Sequence, residues 1–151
     1  MRRKNSAVVA IALWAAVPVW SDDDAQKELK NLEGTWTTLS AEFDGSSIAE
    51  LAKGLKFTVK GDSVTLTGQE EILKQFSKGT IKVNPNAKPK TVDFTVGGGD
   101  MKGHVIEAIY EFTTEDELKV CAKMVGKGRP SKFDSNEGGS ILLLIVKREK
   151  P

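Results

Sequence analysis

The sequence predicts an all-β domain: an eight-stranded antiparallel up-and-down barrel preceded by a short N-terminal helix. Three observations favour this fold. Apolar and polar residues alternate through most of the chain after residue 34, which is the period of half-buried strands. Turn signals recur at short intervals and separate about eight such segments. Between these segments there is no room for the crossover helices that a parallel sheet requires.

Residues 1–21 have the pattern of a cleavable signal peptide. A basic start, residues 2–4, is followed by an apolar run, residues 6–20, and then by the small residue Ser21. The apolar run is too short for a comfortable transmembrane helix. We therefore predict cleavage near Ser21 and a periplasmic or secreted protein with no membrane anchor after cleavage.

Charge and cysteine content exclude several classes of function. Removal of residues 1–21 changes the formal net charge from +1 to −2, because residues 2–4 carry three basic groups and no acid is lost. A near-neutral domain gives no electrostatic basis for binding nucleic acid. Cys121 is the only cysteine, which excludes an internal disulfide and a cysteine-based zinc site. We predict no metal and no cofactor.

The mature chain divides into a helical segment, residues 22–33, and a barrel domain, residues 34–151. Helical spacing of the apolar residues Ala25, Leu29 and Leu32 predicts the helix, which is expected to end at Gly34.

The first strand carries Leu39, Ala41 and Phe43 on one face. Trp36 falls on the other parity, so a bulge near Thr37 is expected.

The later strands follow from alternating apolar residues. Residues 46–54 fit a short helix after the first strand, and residues 126–140 form a long loop before the last strand. Ile72 and Phe76 share one parity, which predicts a strand broken at residues 77–79. The inward-facing positions of the other strands include Val59, Leu66, Val96, Leu118, Ala122 and Leu144.

Gly34-Thr35-Trp36 after a short helix, followed by eight strands, resembles the opening of the lipocalin and fatty-acid-binding superfamily. In that superfamily a tryptophan early in the first strand plugs the closed end of the barrel, and a basic residue late in the last strand crosses over its ring. Arg148 shares parity with the inward residues of the last strand. The resemblance therefore implies a barrel-closing set of Gly34, Trp36 and Arg148, with a cation–π contact of roughly 0.5–2 kcal/mol.

Several segments are similar to a lipocalin-like domain family found in planctomycete bacteria, over about residues 27–149. That family has no established activity, so the similarity implies a fold rather than a function. The chain lacks the Thr-Asp-Tyr motif that lipocalins carry before the seventh strand. The segments that carry the similarity are Leu32-Glu33-Gly34-Thr35-Trp36, Pro89-Lys90-Thr91-Val92-Asp93, Ile109-Tyr110-Glu111-Phe112, Leu118-Lys119-Val120-Cys121 and Arg129-Pro130.

The first functional hypothesis is a barrel that binds a small apolar or amphipathic ligand inside it. Tyr110 or Arg148 would then orient a polar end of the ligand. The alternative is a protein-interaction or inhibitory module with a filled barrel, which would use residues 126–140 as its contact surface. The candidate ligand-binding residues are Phe57, Phe94, Ile106, Ala108, Tyr110, Val120 and Leu142.

No catalytic constellation is apparent, and we predict that the protein is not an enzyme. A dyad of Cys121 and His104, the only histidine, is the sharpest catalytic arrangement to consider. A hairpin in which Cys121 faces Ala108 would separate the pair by about 13 Å along the strand.

Three outward residues, Cys121, Leu143 and Ile145, are expected to form an apolar patch on the outer wall of the barrel. Coverage of the patch by the N-terminal helix predicts a monomer, and an open patch predicts a weak homodimer. Loop lysines and Arg129 could bind an anionic head-group, although solvated loop charge is the simpler interpretation.

Overall fold

The computed structural model describes residues 20–136 and 138–150. The predicted signal peptide, apart from its last two residues, lies outside the described residues. The helices are α1 (Trp20–Leu32), α2 (Ala49–Ala52) and α3 (Glu70–Gln75). The strands are β1 (Gly34–Phe43), β2 (Ser46–Ser47), β3 (Lys56–Lys60), β4 (Ser63–Thr67), β5 (Lys78–Asn84), β6 (Lys90–Gly98), β7 (Val105–Thr114), β8 (Glu117–Lys123) and β9 (Ile141–Arg148).

The long strands form a closed antiparallel barrel. Each strand from β3 to β9 pairs with the next, β3 also pairs with β1, and β1 closes the sheet by pairing with β9. The two-residue β2 pairs only with the end of β1 and adds no wall. The predicted eight-stranded up-and-down barrel with a short N-terminal helix is therefore confirmed.

The connections divide the barrel into two ends. At one end lie α1, the start of β1 and the end of β9, where Trp36 faces Arg148 across the paired strands. At the opposite end lie α2, α3, the turn between β6 and β7, and the start of the loop that leads to β9. These are called the α1 end and the α2–α3 end below.

The helix α1 begins at Trp20, two residues before the expected segment, and ends at Leu32. Leu29 and Leu32 are buried in the core at the α1 end, as their helical spacing requires. Gly34 follows with φ +128°, a conformation that L side chains rarely adopt, and the chain turns there from the helix into β1.

The predicted bulge in β1 lies farther along the strand than expected. The register with β9 shifts between Thr38 and Ser40, so Trp36 and Thr38 share the inner face with Ala41 beyond the shift. Leu39 is the residue that bulges, and it is 55% exposed rather than inward-facing. The alternating pattern correctly indicated a bulge in β1, but the bulge was expected at Thr37. One extra residue can be placed at several positions in an alternating pattern, so the pattern alone does not locate it.

The strand predicted around Ile72 and Phe76 is wrong: residues 70–75 form α3. The separation of four residues between Ile72 and Phe76 fits one face of a helix as well as it fits one face of a strand. The turn after β6 packs against the end of this helix, since the backbone amide of Met101 donates to the carbonyl of Gln75 at 2.8 Å. A Cβ at Gly99 would lie 2.5 Å from that carbonyl oxygen, so the turn requires glycine there.

Two residues of the expected outer patch, Cys121 and Leu143, are covered by the long loop and not by α1. Phe133, from the loop between β8 and β9, packs on a buried cluster of Ile109, Cys121 and Ile141. Ser135, which belongs to the same loop, is fully buried, and its hydroxyl donates to the Glu42 carboxylate at 3.0 Å. The helix α1 instead covers the α1 end of the barrel, where its apolar residues pack into the core.

Candidate functional site

The barrel encloses a cavity of about 570 Å³. All eight long strands contribute to its wall, and the wall is almost entirely apolar. Phe57, Phe94 and Val120 point into the barrel yet are only partly buried, because they face this empty space rather than other side chains. A cavity of this size lies within the range of small-molecule binding sites, about 300–1,000 Å³.

The two ends of the cavity differ in exposure. At the α1 end it is floored by Trp36 and Leu32, which are 2% and 5% exposed. At the α2–α3 end it is edged by Leu51, which is 46% exposed, and by Glu71 and Gln75, which are also exposed. The α2–α3 end is therefore the mouth of the cavity.

The structure brings the predicted ligand-binding residues together on the cavity wall. The lining includes Phe57, Phe94, Ile106, Ala108, Tyr110, Val120 and Leu142. Ala108 and Ala122 pair directly across β7 and β8, and their small side chains leave space at the middle of the wall. The position of the mouth could not be predicted from the sequence, because α3 was expected to be a strand.

Trp36 and Arg148 form the floor of the barrel together with the end of α1. The Arg148 guanidinium lies 4.4 Å from the Trp36 ring centroid. The Trp36 indole donates to the carbonyl of Leu32 at 2.8 Å, and Arg148 donates to the carbonyls of Asn31 and Glu33. These are the last carbonyls of α1 and its continuation, which have no partner inside the helix.

Gly34 completes this arrangement by allowing Arg148 to pass close to the backbone. A Cβ at Gly34 would lie 3.4 Å from both Cγ and Cδ of Arg148. The Asp116 carboxylate also accepts from the guanidinium, at 3.1 Å. The cation is thus fully engaged by the floor and does not line the cavity.

Sequence analysis missed a buried carboxylate at the same end. Glu28 of α1 is 5% exposed and accepts a hydrogen bond from the Tyr110 hydroxyl at 2.6 Å. Lys90 forms an ion pair with the same carboxylate at 3.0 Å, and Asn31 donates to it at 3.3 Å. The signal was available in the sequence, since Glu28 stands three residues after Ala25, on the apolar stripe of α1.

Burial and hydrogen bonding shift the pKa values of this pair in opposite directions. Burial alone would raise the pKa of Glu28, but the hydrogen bonds from Tyr110, Lys90 and Asn31 together hold it below its usual value. Burial, and then the neighbouring carboxylate, raise the pKa of Tyr110 far above its usual value. The pair is therefore a charged Glu28 accepting from a neutral Tyr110.

This pairing leaves Tyr110 and Arg148 with partners inside the protein, whereas they were expected to orient the polar end of a ligand. The Tyr110 hydroxyl is already donated to Glu28, and Arg148 is directed to backbone carbonyls and Asp116. The Tyr110 hydroxyl therefore has no hydrogen left to donate to a ligand, and Arg148 does not line the cavity. Sequence parity placed both residues on the inner face but could not show that helix α1 would reach them first.

The loop cations also differ from the anion-binding interpretation. Arg129 donates to Asp93 at 2.6 Å and to the carbonyl of Ala108 at 2.8 Å, and it also pairs with Glu107 at 3.2 Å. Lys90 is paired with Glu28. Arg129 therefore fastens the long loop to the outer wall of the barrel rather than presenting a charge to solvent.

Cys121 and His104 are not brought together. Cys121 pairs with Ile109 rather than Ala108, because the β7–β8 hairpin shifts register between Phe112 and Thr114. Five residues of strand then separate it from His104, about 16 Å. Burial raises the pKa of the Cys121 thiol, and His104 is exposed on the turn before β7.

Residues 20–136 and 138–150 contain neither a group of metal ligands nor a membrane-spanning helix. No three His, Cys, Asp or Glu side chains of this part are grouped so as to hold a metal ion. None of its helices is both long and apolar enough to span a bilayer.

The closed barrel, its floor of Trp36 and Arg148 and its open mouth are compatible with the lipocalin-like fold. No protein-family model, curated protein or solved structure matches the chain.

Proposed function

We propose that this protein binds a small apolar or amphipathic molecule inside its barrel. The observation that carries the proposal is the apolar cavity of about 570 Å³, open at the α2–α3 end. Transfer of a ligand chain from water into such a space is favourable by about 0.8 kcal/mol per buried methylene. The closed floor gives the cavity a fixed depth.

The alternative, an interaction module with a filled barrel, loses support from the same cavity. Its contact surface was to be residues 126–140, and this loop is folded against the outer wall by Arg129, Phe133 and Ser135. Coverage of the outer patch by the loop supports a monomer. A binding function, rather than catalysis, also agrees with the separation of Cys121 from His104.

A cavity-filling variant tests the proposal. Ala108→Phe directs a large ring into the cavity, and the protein should bind the neutral fluorescent probe phenylnaphthylamine roughly tenfold more weakly or worse. Val105→Phe is the matched control, because Val105 lies on the same strand but is 53% exposed on the outside. Equal probe binding by the wild type and Ala108→Phe, with both proteins folded by circular dichroism, would contradict the proposal.

We also propose that the barrel acts outside the cytoplasm, after removal of residues 1–21. The basic start, the apolar run and Ser21 support this assignment. N-terminal sequencing of the protein from its own cells should begin at Asp22, and a mature chain beginning at Met1 would refute it. We further propose that the chain belongs to the lipocalin-like family of planctomycete bacteria, and this proposal rests on the similar sequence segments alone.

A further inference from the structure

The polar side chains of the cavity lining that have no partner in the protein lie at its mouth. Of the described residues that line the cavity, Glu71, Gln75, Tyr110 and Trp36 carry side-chain nitrogen or oxygen atoms. The Tyr110 hydroxyl donates to Glu28 and the Trp36 indole donates to the carbonyl of Leu32. No lysine, arginine or histidine side chain lies among that described lining. The floor therefore offers a ligand no unused hydrogen-bond donor.

Glu71 and Gln75 are placed together by the helix that carries them. They stand four residues apart on α3, so they lie on one face of the helix, next to Ile72 and Phe76. Within the described part of the chain, no hydrogen bond or ion pair holds either side chain. The mouth thus carries one exposed negative charge and one neutral amide.

We propose that the ligand is a molecule with one polar end, which enters tail-first and leaves its head at Glu71 and Gln75. The inference rests on the proposed binding function and names the class of ligand. A neutral or cationic head is accepted at the mouth, because the carboxylate of Glu71 attracts a cation and repels an anion. A fatty carboxylate is disfavoured, since no cation of the described lining can pair with it.

A molecule with polar groups at both ends is rejected more strongly than an anion. Its second polar group would reach Trp36 and Leu32 at the floor, where no N–H or O–H donor is free to replace its hydrogen bonds from water. A head-group at the mouth stays in contact with water, so its charge has a smaller effect. Two selectivities of different size therefore follow from one arrangement.

The test compares four probes that share a twelve-carbon chain and differ only in their polar groups. These are dodecanol, dodecylamine, dodecanoic acid and the diol with a hydroxyl at each end, each displacing phenylnaphthylamine below its micelle concentration. The diol should bind roughly 10- to 100-fold more weakly than dodecanol. The amine should bind about 2- to 5-fold more tightly than the acid.

A pair of charge variants isolates the contribution of the mouth. Glu71→Lys should invert the preference between amine and acid, while leaving the rejection of the diol unchanged. Glu70→Lys is the matched control, because it makes the same charge change on α3 at a residue that does not line the cavity. It should leave the preference for the amine in place.

The outcomes separate the two proposals. Binding of the diol as tight as that of dodecanol, or inversion by Glu70→Lys as large as that by Glu71→Lys, would overturn the tail-first arrangement and leave ligand binding intact. Tighter binding of the acid than of the amine to the wild type would also overturn it. Failure of all four compounds and of the probe itself would refute the binding function, and this inference with it.

Discussion

At the α1 end of the barrel, Trp36, Tyr110 and Arg148 each donate to an acceptor supplied by another segment of the chain. At the α2–α3 end, by contrast, Leu51 is half exposed beside an open apolar space. The first end is closed by a helix whose last carbonyls and buried carboxylate satisfy the barrel's polar groups. The second end is open, and only two short helices border it.

The difference shows how one barrel can be stable and still contain a cavity. Polar groups that are buried and paired rigidify the region that contains them. Small residues in the middle of the barrel leave space and make fewer packing contacts, as the pair of Ala108 and Ala122 illustrates. We infer that the α1 end supplies much of the stability that the α2–α3 end gives up.

The largest expected effect tests this division directly. Trp36→Ala should lower the free energy of unfolding by about 3–5 kcal/mol, because a fully packed aromatic ring is lost from the floor. Phe43→Ala, at the opposite end of the same strand, should cost clearly less, since Phe43 is only partly buried and already faces the cavity. Urea unfolding of both variants measures the difference. Equal losses would show that the two ends contribute alike.

A smaller effect is expected at the buried carboxylate. Hydrogen bonds to charged groups contribute about 1.5–3 kcal/mol, so Glu28→Gln, which keeps the shape, should lower the free energy of unfolding by about 1–2 kcal/mol at neutral pH. Because Lys90 is partly exposed, its ion pair adds little to that loss.

The pH dependence of this loss follows from the lowered pKa of Glu28. A carboxyl whose pKa is lower in the folded than in the unfolded state stabilises the fold above the unfolded pKa, near 4.5, and the stabilisation disappears as the pH falls through the folded pKa. The gap between the wild type and Glu28→Gln should therefore narrow as the pH falls below about 4.5 and through the lowered pKa of folded Glu28. A constant gap in urea unfolding across that range would contradict the charged assignment.

The smallest effect is spectroscopic and needs no substitution. Tyr110 is the only tyrosine, so tyrosinate absorbance reports on it alone. Burial and the Glu28 carboxylate raise its pKa, so the folded protein should form no tyrosinate at about pH 10, where the urea-unfolded chain titrates. Tyrosinate formation near that pH with circular dichroism unchanged would show that the hydroxyl is accessible.

The same comparison explains what the sequence could predict. The strands of the barrel wall could be predicted from the alternation of apolar and polar residues. Every second residue of such a strand faces the apolar interior, and the residues between them face outward. The contact between Trp36 and Arg148 could be anticipated from the parity of Arg148 in β9 and from the family resemblance. These features repeat along the chain or are shared with other barrels, so local pattern is sufficient.

The unpredicted features arise where segments distant in sequence meet. Glu28 stands on an apolar stripe, but only the folded chain brings Tyr110 and Lys90 to it. Residues 70–75 carry a spacing of four that fits strand and helix equally, and the choice of α3 defines the mouth of the cavity. The cover of the outer patch by Phe133 likewise depends on where a long loop returns.

That loop has a consequence for the chemistry of the barrel's single thiol. Cys121 is fully buried beneath the segment that contains Phe133. A reagent in solution reaches the sulfur only when the segment lifts from the wall. The rate of thiol modification therefore measures how often this segment opens. Such a local opening requires less free energy than unfolding of the whole domain.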